Sequence, residues 1–245
     1  MSTATATVVS VNVGMPEQRG QEGDPDVLRR PWFSSIFKSP IDHPVRLGLI
    51  NLEGDSQGDR KVHGGVDRSV NVYPAEHYPY WRSELGLPDL AYSVFGENFT
   101  TIGQTENSVC IGDIYTVGEA VVQVTQPRLP CWKLARRFHI KDLAVRWRVT
   151  GRVGWHLRTL QEGAVSPNQE MVLEERPHPE WTIERAFAVI VNSKKDRASA
   201  LSLAACPALS DYQRRALGDP SSVADRVEVE SAALVSDSGV PPTSD

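Results

Sequence analysis

The stretch Ile111-Gly112-Asp113-Ile114-Tyr115-Thr116-Val117-Gly118-Glu119-Ala120-Val121-Val122-Gln123-Val124-Thr125 carries the clearest fold signal in the chain. Gly112-Asp113 opens a strand, Gly118-Glu119 supplies a tight turn, and the β-branched run from Ala120 returns as a second strand. Upstream, Thr7-Val8-Val9-Ser10-Val11-Asn12-Val13 reads as another strand, ended by Gly14. Residues 15–31 are rich in Pro, Gly and charge and read as a loop. Short apolar stretches at 45–50 and 69–73 lie on either side of a glycine-rich segment, Gly54 to Gly65. Glu76 to Leu85 fits one helix, with Pro79 in its first turns or splitting it. Downstream, a helical stretch covers about 132–149. A last strand spans Glu170 to Glu174, ended by Pro177-His178-Pro179. From Thr182 the period changes: Ile183, Ala186, Phe187 and Ile190 recur at i, i+3, i+4 and i+7. Thr182 is the expected N-cap, with Glu184 in the first turn. Asp196 to Ala204 and Ser210 to Leu217 give two more short helices, the second capped by Ser210. The expected organisation is a flexible start over 1–6, a mainly β body over 7–178, a three-helix domain over 179–218, and a disordered acidic tail over 219–245.

The chain has 245 residues, 40% hydrophobic and 23% charged, enough for one full core and a small appendage. Its formal charge of −5 argues against a general nucleic-acid binder. That charge is unevenly placed. Residues 219–245 hold six acids and one base, so the other 218 residues balance at 25 of each sign. Within them, residues 126–158 carry nine Lys and Arg against Asp142 alone. No apolar run approaches the ~18 residues that cross a bilayer. No basic region precedes the Thr/Val-rich start, so a secretory signal is not expected. Three widely spaced cysteines argue against a disulfide scaffold and for a reducing cytoplasm. The G-x-S-x-G elbow, the P-loop, the G-x-G-x-x-G fingerprint and C-x-x-C are all missing, which disfavours the corresponding hydrolase, NTPase, dehydrogenase and zinc classes.

Cys131 lies in Gln126-Pro127-Arg128-Leu129-Pro130-Cys131-Trp132-Lys133-Leu134, after a strand and before a helix. Two prolines stiffen the approach, and Arg128 and Lys133 flank the sulfur. Cations and a helix N-terminus favour thiolate, the form that attacks electrophiles or binds soft metals. The competing reading is a buried core cysteine. Cys110, in Val109-Cys110-Ile111, and Cys206, before Pro207, read as structural. So many bases near Cys131 suit an anionic ligand with phosphate or oxo groups, with nucleic acid as the rival. His63, in Val62-His63-Gly64-Gly65, is a candidate for proton transfer or ligand contact, against a structural histidine. Asp55, Asp59 and His63 have helical spacing, but Gly54, Gly58 and Gly64 argue against a helix, and so against a hard-metal site.

Together these residues resemble the MOSC domain, the molybdenum-cofactor sulfurase C-terminal module, and more closely its YiiM-like branch. The matching stretches include Val9 to Gly14, Ser35-Ile36-Phe37-Lys38, Asn51 to Asp55, Val62 to Gly65 and Tyr73 to Tyr78. Phe95-Gly96-Glu97-Asn98-Phe99-Thr100-Thr101, Gly112-Asp113 and Gln126 to Leu134 complete the set, and the likeness covers roughly 7–217. The resemblance implies a β-barrel-like domain followed by a small three-helix domain. It implies a molybdenum cofactor (Mo-molybdopterin), not pyridoxal phosphate, with Cys131 as the metal ligand. The family is associated with reducing N-hydroxylated compounds, hydroxylamino purines among them, to amines. By the same likeness His63 is an active-site residue. In the leading hypothesis the basic cluster, led by Arg128 and Lys133, holds the pterin phosphate. Arg30 aligns with a basic position eight residues before Lys38, although an acidic insertion precedes it and Pro31-Trp32 follows. Lys38 is a further phosphate or substrate contact. No iron–sulfur cysteine set is present, so a separate reductase must deliver electrons. The expected partners are thus that reductase, a small N-hydroxylated substrate and a second copy of the chain, with no membrane and no specific nucleic acid. Two rivals remain: a carrier using a Cys131 persulfide, and a binding module using residues 126–158.

Overall fold

The computed structural model describes residues 5–58 and 64–219. Its strands are β1 (Thr5–Val13), β2 (Glu17–Arg19), β3 (Trp32–Ser34), β4 (Ser39–Ile41), β5 (Val45–Leu47) and β6 (Val70–Pro74). They continue with β7 (Phe99–Ile102), β8 (Ile114–Val117), β9 (Ala120–Pro127), β10 (Trp155–Gln161), β11 (Gly163–Val165) and β12 (Gln169–Glu175). The helices are α1 (Tyr78–Leu85), α2 (Trp132–Phe138), α3 (Leu143–Thr150), α4 (Ile183–Val191), α5 (Arg197–Ala204) and α6 (Asp211–Gly218).

The expected hairpin forms as β8 and β9, with Val117 opposite Ala120 across the turn. Gly118 sits there at φ +57°, where an added Cβ would lie 2.4 Å from the Ala164 carbonyl, so only glycine fits. Along β9, Ala120, Val122 and Val124 are buried and Val121 and Gln123 half-buried, the two-residue period of a strand with one core face. Pairing runs β12-β8-β9-β10-β6-β7-β1, and β1 returns to β12, closing a seven-stranded barrel. At nine residues β1 is long enough to pair β12 near its start and β4 near its end. β6 and β7 pair in parallel, which requires a crossover, and α1 lies in it. Closure leaves no open sheet edge in the barrel.

A second, aromatic cluster joins α1 and α3 to the barrel: Trp81 stacks on Trp147 at 5.5 Å, and both pack around Phe95. The apolar face of α4 (Ile183, Ala186, Ile190) belongs to the same continuous core as the barrel strands, as do Leu203 and Leu217 of α5 and α6. Thr182, Asp196 and Ser210 cap the three helices through their side chains. The Ser210 amide donates to the Thr125 carbonyl at 3.1 Å, and the Asp211 amide to Asp67 Oδ2 at 2.9 Å, fixing α6 against the barrel.

Several expectations are corrected. The 15–31 loop contains β2, paired with β3, and a 3₁₀ turn at Val27–Arg29 capped by Asp26. The helical stretch 132–149 is two helices, separated where His139 turns left-handed at φ +54°. Strands β7 and β10 were not anticipated. Strand β1 begins at Thr5, inside the expected flexible start, while residues 1–4 and the expected tail from 220 onward lie outside the described residues. Among the described residues no helix is long and apolar enough to cross a membrane.

Candidate functional site

Cys131 occupies the N-cap position of α2 in extended conformation, φ −128° and ψ 138°, and its side chain makes no cap hydrogen bond. It is half-buried and lines a cavity of roughly 420 Å³, within the range of small-molecule and cofactor sites. Cys110 and Cys206 are buried, and burial pushes both thiols up in pKa.

Arg128 is fixed at both ends. Its backbone amide donates to the Gly154 carbonyl at 3.0 Å, and its Nη2 donates to the Phe95 carbonyl. Its guanidinium lies 5.1 Å from the centre of the Trp147 ring. Nη1 is buried with no hydrogen-bond partner. Burial lowers the pKa of this guanidinium, opposed first by the Glu97 carboxylate. Lys38 also lines the cavity and pairs with Asp55. Burial lowers the Lys38 pKa, and Asp55 opposes that shift. Asp55 further accepts from the Gly14 amide and from Asn98 Nδ2, each at 2.9 Å. Its oxygens are thus committed to protein donors. Asp59 and His63 lie outside the described residues, among which no cluster of three or more His, Cys, Asp or Glu could hold a metal.

One wall comes from adjacent strands. His156 on β10 is the register partner of both Asn71 on β6 and Gln126 on β9, so the three share one face. The row extends through Asn98, whose Oδ1 accepts from the Asn71 amide at 3.1 Å. The opposite wall comes from the C-terminal helices: Ile190 and Val191 of α4, the following segment to Lys195, and Tyr212, Gln213 and Ala216 of α6. Arg68 bridges the two walls, donating to Gln126 Oε1 at 3.3 Å and stacking 4.8 Å from the Tyr212 ring centre.

Among the described lining residues, seven Lys and Arg face one carboxylate, Asp55. Of the nine bases in 126–158, only Arg128, Lys133 and Arg148 line the cavity. Arg146 pairs with Asp142 and Glu84, Arg152 covers Tyr80, and Arg158 pairs with Asp67. Arg30 is not among the lining residues; its Nε donates to the Asp24 carbonyl at 3.0 Å and its own carbonyl accepts from Arg136. His63 is not described, but the chain on either side of it, at Gly58 and Arg68, lines the cavity. Sequence reasoning missed Asn71, His156 and Gln213. The first two stand on strands whose period-two alternation marks them as facing away from Val70, Val72, Trp155 and Leu157.

The MOSC domain model matches residues 59–172. YiiM of Escherichia coli is 42% identical over 160 residues, 64% of this chain and 70% of that protein. A Gibberella moniliformis protein named Reductase is 40% identical over 161 residues, 64% of this chain but 28% of that protein. The crystal structure of YiiM from Geobacillus stearothermophilus superposes with a TM-score of 0.72 at 35% identity, covering 87% of this chain and 97% of that one. Fold, matched segments and relatives agree: the chain belongs to the MOSC domain family, in its YiiM-like branch.

Proposed function

We propose that this protein is a molybdenum-cofactor-dependent reductase of N-hydroxylated compounds, with Cys131 as the protein ligand of the metal. The observation that carries this reading is the Cys131 thiol on a cationic cavity wall beside Arg128, a buried guanidinium with one nitrogen unsatisfied. A buried donor without a partner costs about 1–3 kcal/mol until something accepts from it, and an anionic ligand does so. The cavity therefore fits a cofactor carrying phosphate and thiolate groups. The relative named Reductase supports oxidoreductase chemistry.

Bound there, the cofactor would supply the two-electron chemistry that converts an N–OH group to N–H. That reduction consumes two electrons and two protons and releases water. The residues of this chain do the rest. Cys131 offers a soft thiolate, and Arg128 supplies the countercharge. Lys133 and Arg148 extend the positive field along the wall. The Asp55 carboxylate, accepting from both Lys38 and Asn98, keeps the Lys38 ammonium at the cavity surface. His63 is our proposed proton donor for the departing oxygen, and electrons come from a separate reductase. Elemental analysis after expression in a cofactor-competent host tests the reading. The expected result is molybdenum in the wild type and none, with no turnover, in Cys131→Ala. Retained metal in that variant overturns the assignment.

A further inference from the structure

The helix wall of the cavity contains an anomaly of hydrogen bonding. Gln213, on α6, is 1% exposed and lines the cavity, yet neither its Oε1 nor its Nε2 has a hydrogen-bond partner. Its backbone amide is used, donating to Ser210 Oγ at 3.2 Å as part of the helix cap. The helix therefore holds the residue in place while leaving the side chain nothing to bind. Across the same cavity, Asn71 Oδ1 is likewise buried without a partner. Buried amides are almost always paired, and leaving donor and acceptor both unmade is costly. Leucine or methionine would fill the same volume without that cost.

We propose that Gln213 is a specificity-determining residue that reads the hydrogen-bonding edge of the substrate. A carboxamide presents an acceptor and a donor side by side in one plane. Its complement is a planar group with a donor next to an acceptor, as in an amidine, a lactam or an aminated nitrogen heterocycle. Asn71 Oδ1 offers a second acceptor for the same ligand. The apolar neighbours Ile190 and Ala216 suit a flat ring. The cavity thus divides by chemistry: Cys131, Arg128 and Lys38 on the barrel side hold the anionic cofactor, and α6 sorts substrates. This deepens the reductase reading and rests on it for the word substrate. The C-terminal helices gain a function, contributing one side of the recognition site.

The test uses the full-length, cofactor-loaded chain with Gln213→Met, which keeps shape and removes both hydrogen-bonding atoms. Gln213→Glu, which keeps the acceptor and loses the donor, is the second variant, and melting curves confirm that each folds. Two readouts are taken. Calorimetry measures binding of adenine, which carries the donor–acceptor edge and no N–OH group. Kinetics measure N-hydroxylated adenine against hydroxylamine, which has no such edge. The expected result is at least tenfold weaker adenine binding in both variants: Gln213→Met gives up both hydrogen bonds, and Gln213→Glu gives up the donor and sets a carboxylate oxygen against the ring nitrogen in its place. The kcat/KM ratio of N-hydroxylated adenine to hydroxylamine falls by at least the same factor, with the loss in KM rather than kcat. A smaller change in adenine binding, or a wild type that does not bind adenine, overturns the proposal. If the wild type reduces neither compound, the reductase reading falls, and the calorimetry alone decides the role of Gln213.

Discussion

Lys38 and Asp55 form an ion pair almost withdrawn from water, with side chains 6% and 2% exposed. Removing one member of such a pair leaves an uncompensated buried charge, which costs about 3–5 kcal/mol. Lys38→Met is therefore expected to lower the urea midpoint strongly, although it removes a residue from the cavity surface and not from the barrel core. The double variant Lys38→Met/Asp55→Leu should lose much less than the two single changes added together, because no orphan charge remains. Additive losses across the cycle would contradict the coupling.

Glu106 sets the position of Arg128 from outside the cavity. Its Oε1 accepts from the Gly154 amide at 2.7 Å, and the Gly154 carbonyl accepts from the Arg128 amide at 3.0 Å. His77 Nε2 lies 2.7 Å from Glu106 Oε2 and clamps the carboxylate. Glu106→Gln exchanges one acceptor for a donor in a buried site already occupied by donors. It should cost about 1–3 kcal/mol and reduce molybdenum content at constant protein, read by denaturant unfolding and elemental analysis in parallel. Full stability together with full metal content would show that Arg128 is held without this relay.

The β8–β9 hairpin was legible because everything that specifies it is local: a glycine that must turn left-handed and a strand alternating by two. Thr182 and Ser210 were legible for the same reason, since a cap is read from three or four neighbours. β10 was not. Its sequence, Trp-His-Leu-Arg-Thr-Leu-Gln, alternates as a strand should, but His156 and Arg158 made it merge with the basic run before it. Arg158 in fact faces Asp67 at 3.0 Å, a partner 91 residues away that no local reading supplies. The cavity divides in the same way. Cys131, Arg128 and Lys133 share one short segment and were singled out together. Gln213 and Asn71 line one cavity only because α6 docks on the barrel, and that docking depends on register and helix packing.

Asp196 should make the stability of the helical end sensitive to acid. Its side chain accepts from the Ser199 amide at 3.0 Å, and the hydrogen bonds with Ser199, side chain first and then backbone, hold its carboxyl below the ordinary aspartate value. A folded-state pKa below the unfolded one means that the cap contributes fully above the unfolded value and is lost as pH falls through the folded one. Asp196→Asn keeps an acceptor at the cap without the titrating charge. Urea midpoints measured from about pH 6 down to about pH 2 should therefore fall less steeply in Asp196→Asn than in the wild type. Parallel curves would assign the acid sensitivity to other carboxylates.

Cys131 sits where a helix asks for a capping side chain and does not supply one. Its backbone is extended and its carbonyl already accepts from the Leu134 amide at 3.1 Å, so the position has the geometry of an N-cap. Serine is among the preferred residues there, because its Oγ accepts from the amide of the second or third helical residue, and a missing cap costs about 0.5–2 kcal/mol. Cys131→Ser should therefore melt at or above the wild-type temperature when both are prepared without cofactor. A hydroxyl is a far poorer ligand than thiolate for a soft metal, so the same variant should contain no molybdenum after expression in a cofactor-competent host. Gain in stability with loss of metal is the signature of a residue kept for chemistry at the expense of the helix. A Cys131→Ser protein that melts well below the wild type would mean that the sulfur is a packing group, and its place on the cavity wall would then need no functional explanation.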